Sequence, residues 1–330
     1  MDFKTFHHAY PAVLRSVFEQ PEYRNSPRGF PSVEQLGVRY RLLDPTQRVP
    51  LAPARRLNIV FNYAEALWYL SGRDDLDFIA YYAPGMRKYS ADGVRLTGTA
   101  YGRALFGRDG DGRSQWQRVV DELRGDPDSK RAVLQIFRSE ELLTPGNPDV
   151  SCTLGLQFLL REGALHAVAM MRANDAYRGM SSDVFSFTFL QEMLARELGV
   201  QLGEYTHFAG SLHVYDPDRE RVAAVLADPA SGREPEFTFP ALPEGDNRPH
   251  VREVLRLEEA LRRNELRLGD ERLDLPDYWV QVVLLFEVHR RLRREEPVDE
   301  ALLGRLWPVH RWLLSHRWPS LPAVPGRPQN

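Results

Sequence analysis

Residues 152–175 read CTLGLQFLLREGALHAVAMMRAND, and this stretch decides the fold. Thr153–Leu160 is an apolar run of strand length. A tight turn at Arg161-Glu162-Gly163 follows, and Leu165–Met171 is a second run of the same kind, so the pair predicts a β-hairpin. The polar segment 172–179 then leads into 182–198, where apolar residues recur at helical spacing until Gly199 supplies a stop. Tyr205–Tyr215 returns to strand-like alternation. Strand, strand, helix and strand in succession, with helices on either side, predict an α+β fold: a central mixed sheet with flanking helices.

Toward the N-terminus, Ala132–Phe137 is another β-like run, and Ser114 is placed to cap a helix reaching about Leu123. A glycine-rich stretch occupies Gly93–Gly112. Leu57–Leu70 reads as a helix that is apolar almost all round, with Gly72 as its stop. The first ~50 residues read as irregular because Pro27, Pro31, Pro45 and Pro50 interrupt the apolar stretches. Toward the C-terminus, five prolines between 228 and 250 predict a linker or loop. Helices are expected at about 251–265, 277–294 and 298–316, ahead of a Pro-rich tail. The run Arg290-Arg-Leu-Arg-Arg294 is expected to be a solvated helix end.

Composition excludes several function classes. The 330 residues carry 43 Lys and Arg against 46 Asp and Glu, a net charge of −3, which gives no support for a duplex-wrapping basic protein. A 43% hydrophobic content is that of a folded chain. No run approaches the roughly 18 uninterrupted apolar residues of a membrane span, and the start MDFKTFHHAY has no secretory pattern, so no membrane association and a cytoplasmic location are expected. The single cysteine, Cys152, rules out an intrachain disulfide and a cysteine-rich zinc cluster. No histidine pattern has metal-ligand spacing, and no metal is expected.

Polar residues stand at three places where the pattern asks for apolar ones. Glu65 lies in the middle of the apolar helix, Cys152 begins a strand, and Arg172, Asp175 and Asp183 cluster between strand and helix. A buried carboxyl has a raised pKa and carries protons near neutrality. A thiolate beside arginines is a usable nucleophile with a lowered pKa. Guanidinium groups suit a phosphate. Together these groups suggest nucleophilic chemistry on a phosphorylated substrate.

The same residues resemble the thymidylate synthase family. Glu65-Ala-Leu-Trp-Tyr-Leu-Ser-Gly72 is similar to its E-L-L-W-F-L-x-G helix, Tyr101-Gly102 to its Y-G, and Asp126-Pro-Asp-Ser-Lys130-Arg131 to D-P-x-S-R-R. Cys152 falls where its P-C-H nucleophile belongs. Arg172-Ala-Asn-Asp175 resembles R-S-x-D, and Gly210-Ser-Leu-His213-Val-Tyr215 resembles G-D-x-H-x-Y. The resemblance covers about residues 28–215. It implies a catalytic domain over 1–226; the proline and helix patterns add a linker or loop over 227–250 and a helical C-terminal extension over 251–330, expected to pack on that domain. It also implies a homodimer in which the Cys152 thiolate attacks C6 of a pyrimidine nucleoside monophosphate. C5 then takes a one-carbon unit from 5,10-methylenetetrahydrofolate, and either hydride or water completes the product. By the same resemblance, Glu65 organises proton transfer, Tyr101 assists, and Arg28 and Arg172 hold the phosphate with Lys130 and Arg131 of the partner subunit. His213 and Tyr215 face the sugar, and Asp175 and Gly179 lie near folate and base.

Departures from the family pattern choose among its branches. Asp183 replaces the asparagine that reads uracil. A carboxyl accepts from cytosine N4–H₂ and, when protonated, donates to N3; capping of the helix is its structural alternative. Ala173 replaces a phosphate-binding serine, and Lys130 replaces an arginine, losing its bidentate fork. A shifted phosphate and a smaller residue leave room for a 2′-hydroxyl. The pattern therefore resembles the pyrimidine hydroxymethylase branch, above all the CMP hydroxymethylases of nucleoside-antibiotic biosynthesis. The alternatives are dCMP hydroxymethylation, thymidylate synthesis from dUMP and, in another class, nucleotide or RNA binding without catalysis, which the charge balance does not favour. Ser151 and Thr153 flank the cysteine in place of Pro and His, Ser211 replaces an Asp, the folate-seating segment at Ile79-Ala-Tyr-Tyr-Ala-Pro-Gly85 lacks its Trp, and the tail 325–330 lacks the family's apolar close.

Overall fold

Glu162 and Gly163 both adopt positive φ, 52° and 77°, and this two-residue turn matches the twist of a right-handed hairpin. It sets Arg161 opposite Ala164 and so fixes the register of the hairpin. The computed structural model describes residues 1–235, 237–269 and 272–322. Among them are seven strands: β1 (Asp2–Phe3), β2 (Tyr23–Asn25), β3 (Ser32–Leu42), β4 (Val133–Gln135), β5 (Thr153–Arg161), β6 (Ala164–Asp175) and β7 (Gln201–Tyr215). They form one sheet in the order β1-β3-β7-β6-β5-β4, with β2 paired to β3. The β3–β7, β5–β6 and β4–β5 pairs are antiparallel and β6–β7 is parallel. This is the expected α+β arrangement.

The helices are α1 (Phe6–Glu19), α2 (Ile59–Leu70), α3 (Leu76–Tyr82), α4 (Tyr101–Phe106), α5 (Gln115–Gly125), α6 (Met180–Leu198), α7 (Arg219–Ala227), α8 (Arg248–Arg262), α9 (Asp277–Arg293), α10 (Glu300–Gly304) and α11 (Pro308–Arg317). Asn58 caps α2 by accepting from the Phe61 amide at 3.1 Å. Ser114 and Gln117 close a capping box on α5, and Gly199 ends α6 at φ 69°. Helix α6 carries the parallel crossover from β6 to β7 and packs on both strands and on α2.

Three expectations need correction. The first 50 residues hold α1 and the 11-residue β3; Val38, Tyr40 and Leu42 are buried at alternate positions, a period that the surrounding prolines obscured. The 298–316 region is two helices, because Pro308 starts α11 and α10 ends at Gly304. The Arg290–Arg294 run is not simply solvated: Arg290 is buried and donates to Glu287, at 2.7 Å from Nε, and to Glu296 at 2.8 Å.

Residues beyond 226 share the hydrophobic core. Phe239 and Leu242 are buried in the irregular stretch before α8, where Gln47 holds Phe239 by both of its backbone groups, at 2.7 and 3.0 Å. On α9, Tyr278 donates or accepts at 3.2 Å with the Tyr63 hydroxyl of α2, and Trp279 packs edge-on against Phe189 of α6. The Arg48–Glu192 ion pair, fully buried, ties the chain after β3 to α6, and Glu192 also accepts from the Leu242 amide at 2.8 Å. Residues 325–330 of the tail lie outside the described residues. Removing one partner of a buried pair strands the other charge, so Arg48→Met is expected to lower unfolding free energy by about 3–5 kcal/mol; urea titration against the parent protein measures it.

Candidate active site

The loop carrying Cys152 is pinned before it enters β5. The Asp149 carboxylate accepts from the amides of Thr97, Gly98 and Thr99 at 2.7, 2.8 and 2.9 Å. Glu141 accepts from the Ser151 amide at 2.7 Å and its hydroxyl at 3.0 Å. The approach is so close that a Cβ at Gly98 would lie 2.1 Å from the Asp149 carbonyl oxygen. Arg172, on β6 across a bulge in the β5–β6 register, closes the loop from the other side. Its Nε donates to the Ser151 carbonyl at 2.8 Å, and Nη2 donates to the Val150 carbonyl at 3.0 Å and reaches Cys152 Sγ at 3.8 Å.

The thiol differs from the sequence expectation of a lowered pKa. Burial pushes Cys152 above its ordinary value; Arg172 pulls it down, Asp183 and Asp149 push it up again, and Arg28 pulls more weakly. Desolvation outweighs the guanidinium groups in the free protein, so the resting sulfur is a thiol.

Two buried carboxyl groups belong to the same region. Glu65, on α2, accepts from the Ser186 hydroxyl of α6 at 3.0 Å. Burial raises its pKa to about 8, with a further push from Asp183. Asp183, in the first turn of α6, does not cap the helix; Gly179 is the cap residue, with no side-chain bond. Its Oδ2 accepts from Asn174 Nδ2 at 2.7 Å, and burial raises it to about 7. Tyr101, at the start of α4, is buried, stacks on Tyr69 at 5.1 Å and feels Cys152, Asp183 and Glu65 electrostatically. Gly102 lets α4 approach α2, since a Cβ there would lie 2.3 Å from the Tyr69 carbonyl oxygen. Cys152, Glu65, Tyr101 and Asp183 therefore share one site.

Most of the other sequence-selected residues border it. Arg28, at φ 54°, acts electrostatically on both Cys152 and Tyr215. Tyr215 meets His213 edge-on at 4.9 Å. Asp175 lies opposite His213 in the β6–β7 register. Burial raises Asp175, and its Oδ1 accepts from the amides of Tyr177 and Arg178 at 2.9 and 2.8 Å. Ala173 lies opposite Ser211. Gly179 leaves room for the hydrogen-bonded Asp183–Asn174 pair: a Cβ would come within 3.1 Å of Asp183 Oδ2. Lys130 and Arg131 are not brought into this site within the chain. Both are exposed, and Arg131 donates to Glu122 at 2.9 Å. Tyr81 and Tyr82, in the segment lacking Trp, pack on α9 at His289, at 5.2 and 4.9 Å, and the Tyr82 hydroxyl donates to Glu258 at 2.7 Å.

Sequence reasoning missed Asp149 and Glu141, which hold the cysteine loop, and Asn174, His207 and Tyr205, which form a buried chain behind Asp183. Asp149 carried a faint signal as an acidic residue between turn-forming and apolar ones; the other links cross between strands and have no local pattern. Among the described residues no group of three or more His, Cys, Asp and Glu is placed to hold a metal, and no helix is long and apolar enough to cross a membrane.

Comparison with known proteins adds a family and two relatives. The profile described as "Thymidylate synthase" matches residues 8–251. A "Deoxyuridylate hydroxymethyltransferase" of Bacillus phage SP01 is 30% identical over 218 residues, 63% of this chain and 57% of the relative. Another of that name, from Pseudomonas phage M6, is 31% identical over 200 residues, 58% of this chain and 55% of the relative. The chain thus spans a little over half the length of these curated relatives.

The raised carboxyls make stability depend on pH. Glu65 binds its proton more tightly folded than unfolded, so its contribution is complete below pH 4.5 and is lost as pH rises toward about 8. The span is worth on the order of 5 kcal/mol at full ionisation. Glu65→Gln is expected to flatten the fall in melting temperature between pH 5 and 8 and to be more stable than the parent at pH 8. Melting curves across that range check it; parallel curves for the two proteins would contradict it.

Proposed function

Because this chain belongs to the thymidylate synthase family, we propose that it transfers a one-carbon unit from 5,10-methylenetetrahydrofolate to C5 of CMP. Water addition then gives 5-hydroxymethyl-CMP and tetrahydrofolate. The observation that carries the base assignment is Asp183, buried beside the thiol with a pKa near neutrality. A group of that kind both accepts from cytosine N4–H₂ and donates to N3. Transfer of a hydroxymethyl group, not a methyl group, is supported by the two phage relatives, whose names state that reaction on deoxyuridylate.

In this reading, Cys152 Sγ bonds to C6 and the C5–C6 electron pair moves to C5, which becomes the nucleophile toward the one-carbon unit. The thiol first loses its proton to water, and the sulfur recovers one after it leaves C6. Phosphate binding at Arg172 and Arg28 leaves their guanidinium groups beside a sulfur whose developing negative charge they stabilise. Glu65, protonated at neutral pH and held by the Ser186 hydroxyl, gives its proton through water to the tetrahydrofolate nitrogen as the bond from that nitrogen to the transferred carbon breaks, and its carboxylate takes the C5 proton by the same route; the exocyclic methylene left on C5 then adds water. Expulsion of the thiolate from C6 restores the ring. His213 and Tyr215 border the sugar. Folate supplies the carbon. For its ring the chain offers Asp175, whose Oδ1 is occupied by two amides while Oδ2 makes no hydrogen bond among the described residues, an acceptor suited to an N–H-rich pterin edge.

Two further parts of the reading concern the phosphate and sugar. The exposed Lys130 and Arg131 reach the phosphate of a second copy of the chain, so the active form is a homodimer. Ala173 and Lys130 together admit a ribose. The near alternative is dCMP. A second reading, dUMP, has the names of the phage relatives in its favour, and a protonated carboxyl also pairs with a uracil edge.

The test is a competition among equimolar CMP, dCMP and dUMP with methylenetetrahydrofolate, read by mass spectrometry of the products. A hydroxymethyl gain mainly on CMP is expected. Cys152→Ala should abolish it while keeping nucleotide binding, and Ala173→Ser with Lys130→Arg should raise the dCMP-to-CMP product ratio at least ten-fold. Gain confined to dCMP overturns the ribose assignment. Gain confined to dUMP overturns the base assignment, and a methyl product overturns water addition.

A further inference from the structure

Behind Asp183 runs a buried chain of three polar side chains drawn from β6 and β7. Asn174 Nδ2 donates to Asp183 Oδ2 at 2.7 Å, Asn174 Oδ1 lies 3.1 Å from His207 Nε2, and His207 Nδ1 lies 2.8 Å from the Tyr205 hydroxyl. Tyr205 and His207 are fully buried and Asn174 is 3% exposed. Tyr40 of β3 stacks on the His207 ring at 5.0 Å and holds its plane. No step of the proposed reaction uses these residues.

A chain of this kind has two polarities. In one, Tyr205 donates to Nδ1, Nε2–H donates to the Asn174 carbonyl, and the Asn174 amide donates to Asp183 Oδ2. In the other, every donor and acceptor is reversed, and Asp183 must donate from Oδ2. His207 is neutral, since burial lowers its pKa to about 3, so it has only one N–H to place. Tyr205 breaks the tie. Its hydroxyl has His207 as its only hydrogen-bond partner among the described residues. In the reversed polarity it would accept from Nδ1–H and leave its own proton buried without an acceptor, a loss of about 1–3 kcal/mol.

We propose that Tyr205, His207 and Asn174 fix the direction of the hydrogen bond to Asp183 and thereby decide which pyrimidine edge the site accepts. The proposal rests on the reading of Asp183 as the base-facing group. Cytosine and uracil present opposite orders along this edge: acceptor N3 and donor N4 in one, donor N3 and acceptor O4 in the other. A free carboxyl matches either by moving its proton between oxygens. With Oδ2 committed as an acceptor, the proton of the neutral carboxyl sits on Oδ1. Asp183 then has one donor oxygen and one acceptor oxygen in a fixed order. Cytosine fits when N3 meets Oδ1 and N4 meets Oδ2. The base with the reverse order sets donor against donor and acceptor against acceptor. Asn174, His207 and Tyr205 are positioning residues, acting through Asp183.

The experiment is calorimetric binding of CMP and UMP to the full chain, with ribose 5-phosphate as a baseless control. The wild-type protein is expected to prefer CMP. His207→Phe keeps a ring for Tyr40 to stack on and deletes both nitrogens; it should cut the CMP-to-UMP affinity ratio at least ten-fold while leaving ribose 5-phosphate binding unchanged. His207→Gln, which still accepts from Tyr205 and donates to Asn174, should retain the ratio. Tyr205→Phe removes one hydroxyl, serves if His207→Phe fails to fold, and should lower the ratio about three-fold or more. An unchanged ratio in His207→Phe, or in Tyr205→Phe where the former does not fold, overturns the proposal, as does a wild-type ratio near one. A wild-type preference for UMP that collapses in the same variants upholds the proposal and overturns the cytosine assignment instead.

Discussion

Two buried carboxyl groups within electrostatic reach of each other cannot both ionise cheaply, and the site is arranged around that constraint. Glu65 comes from α2 and Asp183 from α6, so the packing of these helices brings two carboxyls together beside Tyr101, which also feels the Cys152 thiol. Burial raises each carboxyl; Asp183 raises Glu65 further, and Asp175 raises Asp183 further against the hydrogen bond from Asn174. Both carboxyls are thereby held well above the usual carboxylate range, Asp183 at about 7 and Glu65 at about 8. At neutral pH the pocket therefore retains a proton on Glu65 and a nearly balanced carboxyl at Asp183, which gives the proposed chemistry a proton store next to a base-facing group.

The remainder of the chain keeps this arrangement rigid. The α6 crossover fixes Asp183 relative to the end of β6, where Arg172 and Asn174 lie. Asp149 and Glu141 hold the cysteine loop by its backbone, and Arg172 holds it by two carbonyls. Behind α2, the Tyr63 ring is enclosed by Tyr278 of α9 and His310 of α11, and Trp279 backs Phe189 of α6. The C-terminal helices thus brace the two helices that carry the carboxyls. That is a physical reason for described residues beyond α7 to belong to the same core.

Much of this was legible in the sequence, for identifiable reasons. Glu65 was conspicuous because one charge interrupts an apolar helix, and the β5–β6 hairpin because its turn needs two residues at positive φ. The cluster around Asp183 was visible because it joins a strand to a helix. The thiol was misjudged because nearby arginines can be read from spacing, whereas the desolvation that outweighs them depends on packing. Strand β3 was hidden by flanking prolines although its alternation at Val38, Tyr40 and Leu42 was present. The Asn174–His207–Tyr205 chain could not be found, because hydrogen bonds between side chains of different strands follow from the folded sheet and leave no period along the chain.

The central claim is that Glu65 and Asp183 hold protons in the folded free protein at pH values where ordinary carboxyls have lost them. The direct measurement is a pH titration of side-chain carboxyl carbons by NMR in protein labelled at Asp and Glu, with Glu65→Gln and Asp183→Asn used to assign the two signals. The account predicts two resonances titrating near pH 7 and pH 8, with the upper one moving down when Asp183 is neutralised. Two carboxyls fully ionised by pH 5 would contradict it.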